Sequence, residues 1–502
     1  MTRIIKPGDS SQSPTLQISY YDSNIPLRVD LAQKIDASTT FVLRRYYDGL
    51  GRQLQTQTAN ALVNGVTRDI LVDYAYDAYG RVAEQTVPFD LAPVSGYVNQ
   101  TFSQAHSHSS YDLLGRPLSV SAPDGTGASY AYSIVLDGSV YLKQTTVTDA
   151  SNQTTSTRSD AWGRTQKVIP PAGPGLVFNY NELDQLLSVV RGGLTSGITY
   201  DQIGRKLSMN DPDMGAWSYS YDAIGNLTGQ VDARSCSLTL TYDLLNRLSG
   251  KSSSGAGCGT QVSSTYTYDS GSNGKGHRTG MSSASLSSSW TYDSRGRVSS
   301  EQVLNGSTYT TSWAYNSADL PVSMTYPGGE VVNYTYTPQM ALNSVIGSSN
   351  YLSSSQLDAA GRTTQRVLGN GLTQAYSYYP WTQQGGRLQN LVTGTLQNLA
   401  YSYDAVGDIL SITDALHGPQ TQAFSYDVLQ RINSAGATGG SDGLYSETYG
   451  YDANTGNLSS KGGVNYTYNS NHPHAVGSLS NGNSYSYDAN GNTPALAAQV
   501  QV

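Results

Sequence analysis

The sequence predicts an all-β protein assembled from a continuous array of β-hairpins, on three observations. A short phrase, Tyr-Asp, two residues, Gly, then Arg or Asn, returns along the whole chain. Its spacing is nearly constant through the middle, with steps of 20, 21 and 21 residues from Tyr180 to Tyr200, Tyr221 and Tyr242. A period in that range marks supersecondary units that bury an apolar face only against their neighbours. Composition agrees: only 13% of the 502 residues are charged, and Tyr outnumbers Phe 39 to 5, so the aromatic positions favour a ring with a polar edge.

The phrase opens as Tyr47-Asp48-Gly49-Leu50-Gly51-Arg52. It returns in full from Tyr76-Asp77 to Gly80-Arg81, Tyr111-Asp112 to Gly115-Arg116, Tyr200-Asp201 to Gly204-Arg205 and Tyr292-Asp293 to Gly296-Arg297. Tyr221-Asp222 with Gly225, Tyr403-Asp404 with Gly407, Tyr451-Asp452 with Gly456 and Tyr487-Asp488 with Gly491 carry it to the C-terminal end.

One repeat shows what each position does. Trp217, Tyr219 and Tyr221 alternate with small residues, the period of a half-buried strand. Asp222 offers a short carboxylate to the turn amides, Gly225 supplies the positive φ that closes the turn, and Asn226-Leu227 starts the returning strand. The Arg that follows Gly is expected to pair with an Asp of its own or a neighbouring hairpin. Tyr-x-Tyr pairs such as Tyr74/Tyr76 and Tyr401/Tyr403 place both rings on one strand face. Stacked hairpins would set those rings into ladders, each cross-strand pair contributing about 0.2–1 kcal/mol.

The array is expected to run over 20–492, after a lead-in at 1–19 and before a tail at 493–502. Irregular insertions are expected at about 85–110 and 133–165, where the spacing lengthens, and the Gly/Ser-rich runs at 250–260 and 434–444 read as long hairpin tips. Such insertions, rather than the regular wall, are where specific binding would sit.

A net charge of −8 and the lack of a basic run argue against a nucleic-acid partner. No apolar stretch approaches the roughly 18 residues of a membrane span. Met1 to Pro7 lacks the apolar centre of a signal peptide, so the chain reads as an internal piece of a longer protein or as one exported by another route. Cys236 and Cys258 lie in consecutive repeats; a disulfide in an oxidising compartment and two unrelated turn residues are both open readings.

Repeated Asp and Arg are turn chemistry rather than an acid and a base, and no catalytic residue, metal or cofactor is expected. Gly250-Lys251-Ser252 lacks the first glycine of a phosphate loop. His106/His108 and His472/His474 read as loop and turn residues.

The phrase in this register closely resembles the YD repeats of bacterial Rhs proteins, of the B and C components of Tc toxin complexes, and of teneurin ectodomains. Asp211-Pro212-Asp213-Met214-Gly215 resembles the openers found between Rhs repeats. The resemblance covers nearly the whole chain and implies a spiral β-sheet forming a shell around a C-terminal toxin. The family's self-cleaving aspartyl core segment and its toxin domain have no counterpart in this sequence. The resemblance therefore implies shell wall: a non-enzymatic scaffold of a secreted or cell-surface bacterial protein, whose partners are a polypeptide cargo or further repeats. The alternative is an extracellular adhesion module that binds glycans or partner cells.

Overall fold

The structure, a computed structural model, describes residues 1–493 except 24, 100, 417 and 441–442. The tail beyond 493 lies outside the described residues. Among them, 42 strands form one open, antiparallel sheet in which nearly every strand pairs with its neighbours in sequence. It begins at Thr2–Ile4, paired with Leu16–Tyr21, and ends at Val476–Leu479, paired with Val464–Tyr468. One side branch occurs: Val82–Thr86 and Phe89–Leu91 pair with different lengths of Val66–Tyr76, and the sheet continues from the former into His106–Tyr111.

The register slips by one residue at the tyrosine of each Tyr-Asp turn, between Thr199 and Tyr200, Ser220 and Tyr221, and Ser402 and Tyr403 among others. A bulge there bends the strand and re-aims the tyrosine. Because successive hairpins alternate, the Tyr-Asp turns lie along one long edge of the sheet, and the return turns, such as Asp211–Gly215, lie along the other.

Most of the sheet is one layer thick. The exception is its N-terminal part, where Leu71 and Ala61 are fully buried and Tyr46, Ala59 and Val63 nearly so. Residues 92–98 fold back over the strands Thr40–Tyr47, Gln53–Val63 and Val66–Tyr76. The carbonyls of Val94, Gly96 and Val98 accept hydrogen bonds from Arg44, Gln57 and Gln55, and the Tyr97 ring lies 5.6 Å from that of Tyr46. Part of the expected insertion at 85–110, residues 92–98, thus acts as a cover over these strands, while its flanks join the sheet as Phe89–Leu91 and His106–Tyr111.

The other expected insertion is different. Residues 133–165 continue the sheet through Gly127–Asp137, Val140–Thr148 and Thr154–Ser159. Its Val, Ile, Leu and Thr residues sustain the alternation without the tyrosine signature, and Asp160 to Arg164 make a regular turn without a preceding Tyr. The run at 434–444 is likewise strand as far as Thr438; residues 441–442 lie outside the described set. The run at 250–260 is strand to Ser254 and then a single 3-10 turn, Ala256–Cys258.

Candidate functional site: the turns and the winding seam

Each Tyr-Asp turn is a closed hydrogen-bond unit. In the first, Asp48 Oδ1 accepts from the amides of Leu50 and Arg52, both at 2.9 Å, while Oδ2 accepts from Arg52 Nε at 2.7 Å. The Asp48 amide donates to the Arg52 carbonyl and the Gly51 amide to the Asp48 carbonyl. The same set recurs at Asp77–Arg81, Asp112–Arg116, Asp201–Arg205 and Asp293–Arg297. At Asp222 and Asp488 an Asn replaces the Arg.

Gly51, Gly80, Gly115, Gly204, Gly225, Gly296, Gly407, Gly456 and Gly491 all hold φ between +78° and +105°. Asp404 differs: residue 408 is an Asp, and Arg387 of the preceding turn leans on the Val406 carbonyl. Asp452 caps Asn454 and Thr455 in a turn one residue longer. At Asp48, Asp77, Asp112, Asp201 and Asp293 the turn hydrogen bonds outweigh burial and keep the carboxylate below its usual range. At Asp243 the Arg247 amide is the largest cause, and Asp269, held by the Arg247 guanidinium, falls to about 2.

Two links between repeats escaped the sequence. The first is the tyrosine hydroxyl. Tyr76, Tyr111, Tyr200 and Tyr221 donate to the carbonyls of Gln53, Val82, Leu186 and Lys206 in the preceding repeat, at 2.7–3.0 Å. Tyr292, Tyr403, Tyr451 and Tyr487 do the same to Arg278, Leu388, Ile432 and Val476. The second is a guanidinium over each next ring: Arg52 over Tyr76, Arg81 over Tyr111, Arg205 over Tyr221 and Arg297 over Tyr315, at 4.6–5.0 Å. The expected ladder of rings is therefore an alternation of rings and guanidinium groups; among the described residues, the tyrosine rings that do meet, Tyr46 and Tyr97, lie in the covered region. The excess of Tyr over Phe was the available signal for the hydroxyl link. Tyr47 ends its strand opposite Leu27 and Gln53.

The larger site is a seam. After most of 300 residues the sheet comes back to its own edge, and Tyr-Asp turns of the second winding dock on return turns of the first. Arg295 Nη2 meets Asp9 at 2.5 Å across 286 residues, where Lys34 and Ser317 also bind Asp9. Lys6 reaches Asp319 across 313. Gln339 brackets Leu62 with two hydrogen bonds across 277, and the Gly385 amide donates to Asp124 across 261. Gln430 reaches Asp149 across 281, His472 and His474 meet Asp213 at 2.7 and 2.6 Å, and Asn490 donates to Asp232 across 258. Every bond crosses from the same kind of edge to the other kind.

Asp9 and Arg295 are almost wholly buried. Burial alone would raise the Asp9 carboxyl, but hydrogen bonds from Lys34, Thr15, Ser317 and Arg295 hold it well below the carboxylate range. Cys236, in the return turn that receives Asn490, is disulfide-bonded to Cys258. In the sequence His472 and His474 read as plain turn residues and Asp213 as part of an opener. Nothing local shows that they meet, because the pairing depends on the length of one winding.

Two family descriptions match parts of the chain: "RHS Repeat" over residues 292–331, and a domain of unknown function, DUF6443, over 30–139. No curated protein sequence matches. Among solved structures, the crystal structure of TcdB2-TccC3 is similar with a TM-score of 0.80 at 17% identity, covering 98% of this chain and 30% of that one. The form without the hypervariable C-terminal region gives 0.76 at 17%, over 91% and 28%. The Photorhabdus luminescens Tc holotoxin pore gives 0.69 at 15%, over 94% and 30%. The chain thus spans less than a third of the solved chains it matches, and at these identities the likeness is one of fold. Among the described residues no helix is long and apolar enough to cross a membrane, which says nothing of strands. The turn phrase and the RHS Repeat match thus place Rhs/YD repeats in this chain, and its spiral sheet shares the fold of these Tc toxin structures along nearly its whole length.

Proposed function

We propose that the chain is a length of non-enzymatic wall in a secreted shell, enclosing or presenting a polypeptide cargo. The observation that carries this reading is the seam. Polar contacts between residues 258 to 313 apart hold two windings edge to edge, so the sheet makes a curved surface with an inside. A ribbon or filament has no use for such contacts. The fold likeness to TcdB2-TccC3 supports the reading, and the Cys236–Cys258 disulfide suits an oxidising, extracellular setting. Cargo and further repeats are then the partners the wall would meet; no observation favours glycans.

Small-angle scattering of the full chain tests the winding. Laid out flat, 42 strands at about 4.8 Å spacing would reach about 200 Å. A wound wall gives a much shorter maximum dimension and a hollow distance distribution; a 200 Å ribbon would sink the proposal.

A further inference from the structure

The two windings differ at one position of the repeated turn, the second residue after the Asp. In the first winding it is large and apolar: Leu50, Tyr79, Leu114, Trp162, Ile203 and Leu245 are examples. All six are at least 69% exposed, Leu50 reaching 80%. In the second winding the same position is mostly small or polar: Arg295, Ala318, Gln339, Ala360 and Asn490 are all at least partly buried, Val406 and Leu429 are apolar but partly buried, and Asn454 is exposed. Arg295, Gln339 and Asn490 supply seam hydrogen bonds themselves. The position is therefore the docking residue of the turn, polar or small where it has met its partner edge.

Among the described residues nothing packs on the same edge of the first winding. Tyr-Asp turns recur every second strand, about 10 Å apart, so the large tips form a row rather than isolated exposed side chains. Between two of them, Trp162 and the 181–184 turn, opens a cleft of about 730 Å3, a socket that a protruding turn would fill. The opposite outer edge, made of the second winding's return turns, is largely Gly, Ser and Asn, with Tyr326, Leu396 and Leu444 exposed among them.

We propose that the first-winding row is a docking surface for a second copy of this chain, whose second-winding return turns seat on it. The geometry is the one the intrachain seam already uses, Tyr-Asp edge on return-turn edge, continued by one winding. The row of large apolar tips would be desolvated by such an association, and the exposed Tyr326, Leu396 and Leu444 of the opposite edge supply apolar surface to meet it. The contact is heterologous, so copies add head to tail. It does not depend on the wall enclosing a cargo.

The test is sedimentation of the full-length protein up to about 100 µM, well above a Kd near 1 µM. The expected result is concentration-dependent growth beyond the monomer, with the L114S/W162S/L245S variant shifted at least tenfold towards monomer. These tips are exposed, and circular dichroism confirms that the variant keeps its sheet. A mixture of L114C and L396C proteins should cross-link to each other and not to themselves. A wild type that stays monomeric, association indifferent to the tip substitutions, or L114C–L114C cross-links between like rims would each overturn the proposal.

Discussion

The covered N-terminal face and the bare wall solve one problem in two ways. Around Leu71 the hairpins are stabilised by burial, with a second layer of chain and a hydrogen-bonded interior that holds Gln55 and Gln57 at 0% exposure. Around Tyr221 almost nothing is fully buried. There each hairpin is tied to the last by a tyrosine hydroxyl, a guanidinium over a ring and a turn closed by its own Asp. A repeat that carries its own links can be added indefinitely. A covered face cannot be copied, because each copy would need its own cover.

Acid should separate the two regions most sharply. In the wall, Asp243 and Asp269 have folded pKa values below their unfolded ones, so their stabilisation is present above about pH 4 and lost as pH falls further, through about 2 at Asp269. In the covered face the Asp48 and Asp77 turns lose stabilisation in the same way, but burial raises Asp73 and Asp30, whose protonation favours the folded form as pH falls and offsets part of that loss. All five tryptophans, Trp162 to Trp381, lie outside the covered face. Tryptophan fluorescence should therefore report loss of the wall between pH 4 and 2 while residues 40–98 still resist protease. Simultaneous loss would show that the regions are not independent.

Leu71→Ala comes next. It should cost about 2–5 kcal/mol, read as faster amide exchange confined to the strands of the covered face. Gly225→Ala tests the wall: the added Cβ meets nothing within 4 Å, so the cost is the φ of +98° alone, about 1–2 kcal/mol, seen as local exchange in that turn and its neighbours. The smallest effect belongs to Tyr221→Phe, which removes the bond to Lys206 and should cost about 0.5–1.5 kcal/mol. If Tyr221→Phe cost as much as Leu71→Ala, the distinction between the regions would fail.

The sequence carries the local physics in full view. Tyr221, Asp222 and Gly225 announce strand, cap and turn because each acts within a few residues of itself. Burial by the 92–98 segment is not legible, since Val94, Gly96 and Val98 act through backbone carbonyls that any residue has. Strand identity at 133–165 was hidden because the tyrosine that marks the other repeats is missing there. The seam was the least visible, because Asp213 and His474 are joined by the pitch of the spiral. Yet the second position after Asp had recorded the winding all along, large and apolar before residue 250 and mostly small or polar after it.

The length of one winding also sets a clock. Neighbouring hairpins can form as soon as they emerge, but a return turn such as Asp9 must wait 286 residues for Arg295. At roughly 5–20 residues per second, ribosomes take about 15–60 s to supply the partner. For that interval the first winding stands with both edges bare, so the nascent wall is at its most adhesive well before it is finished.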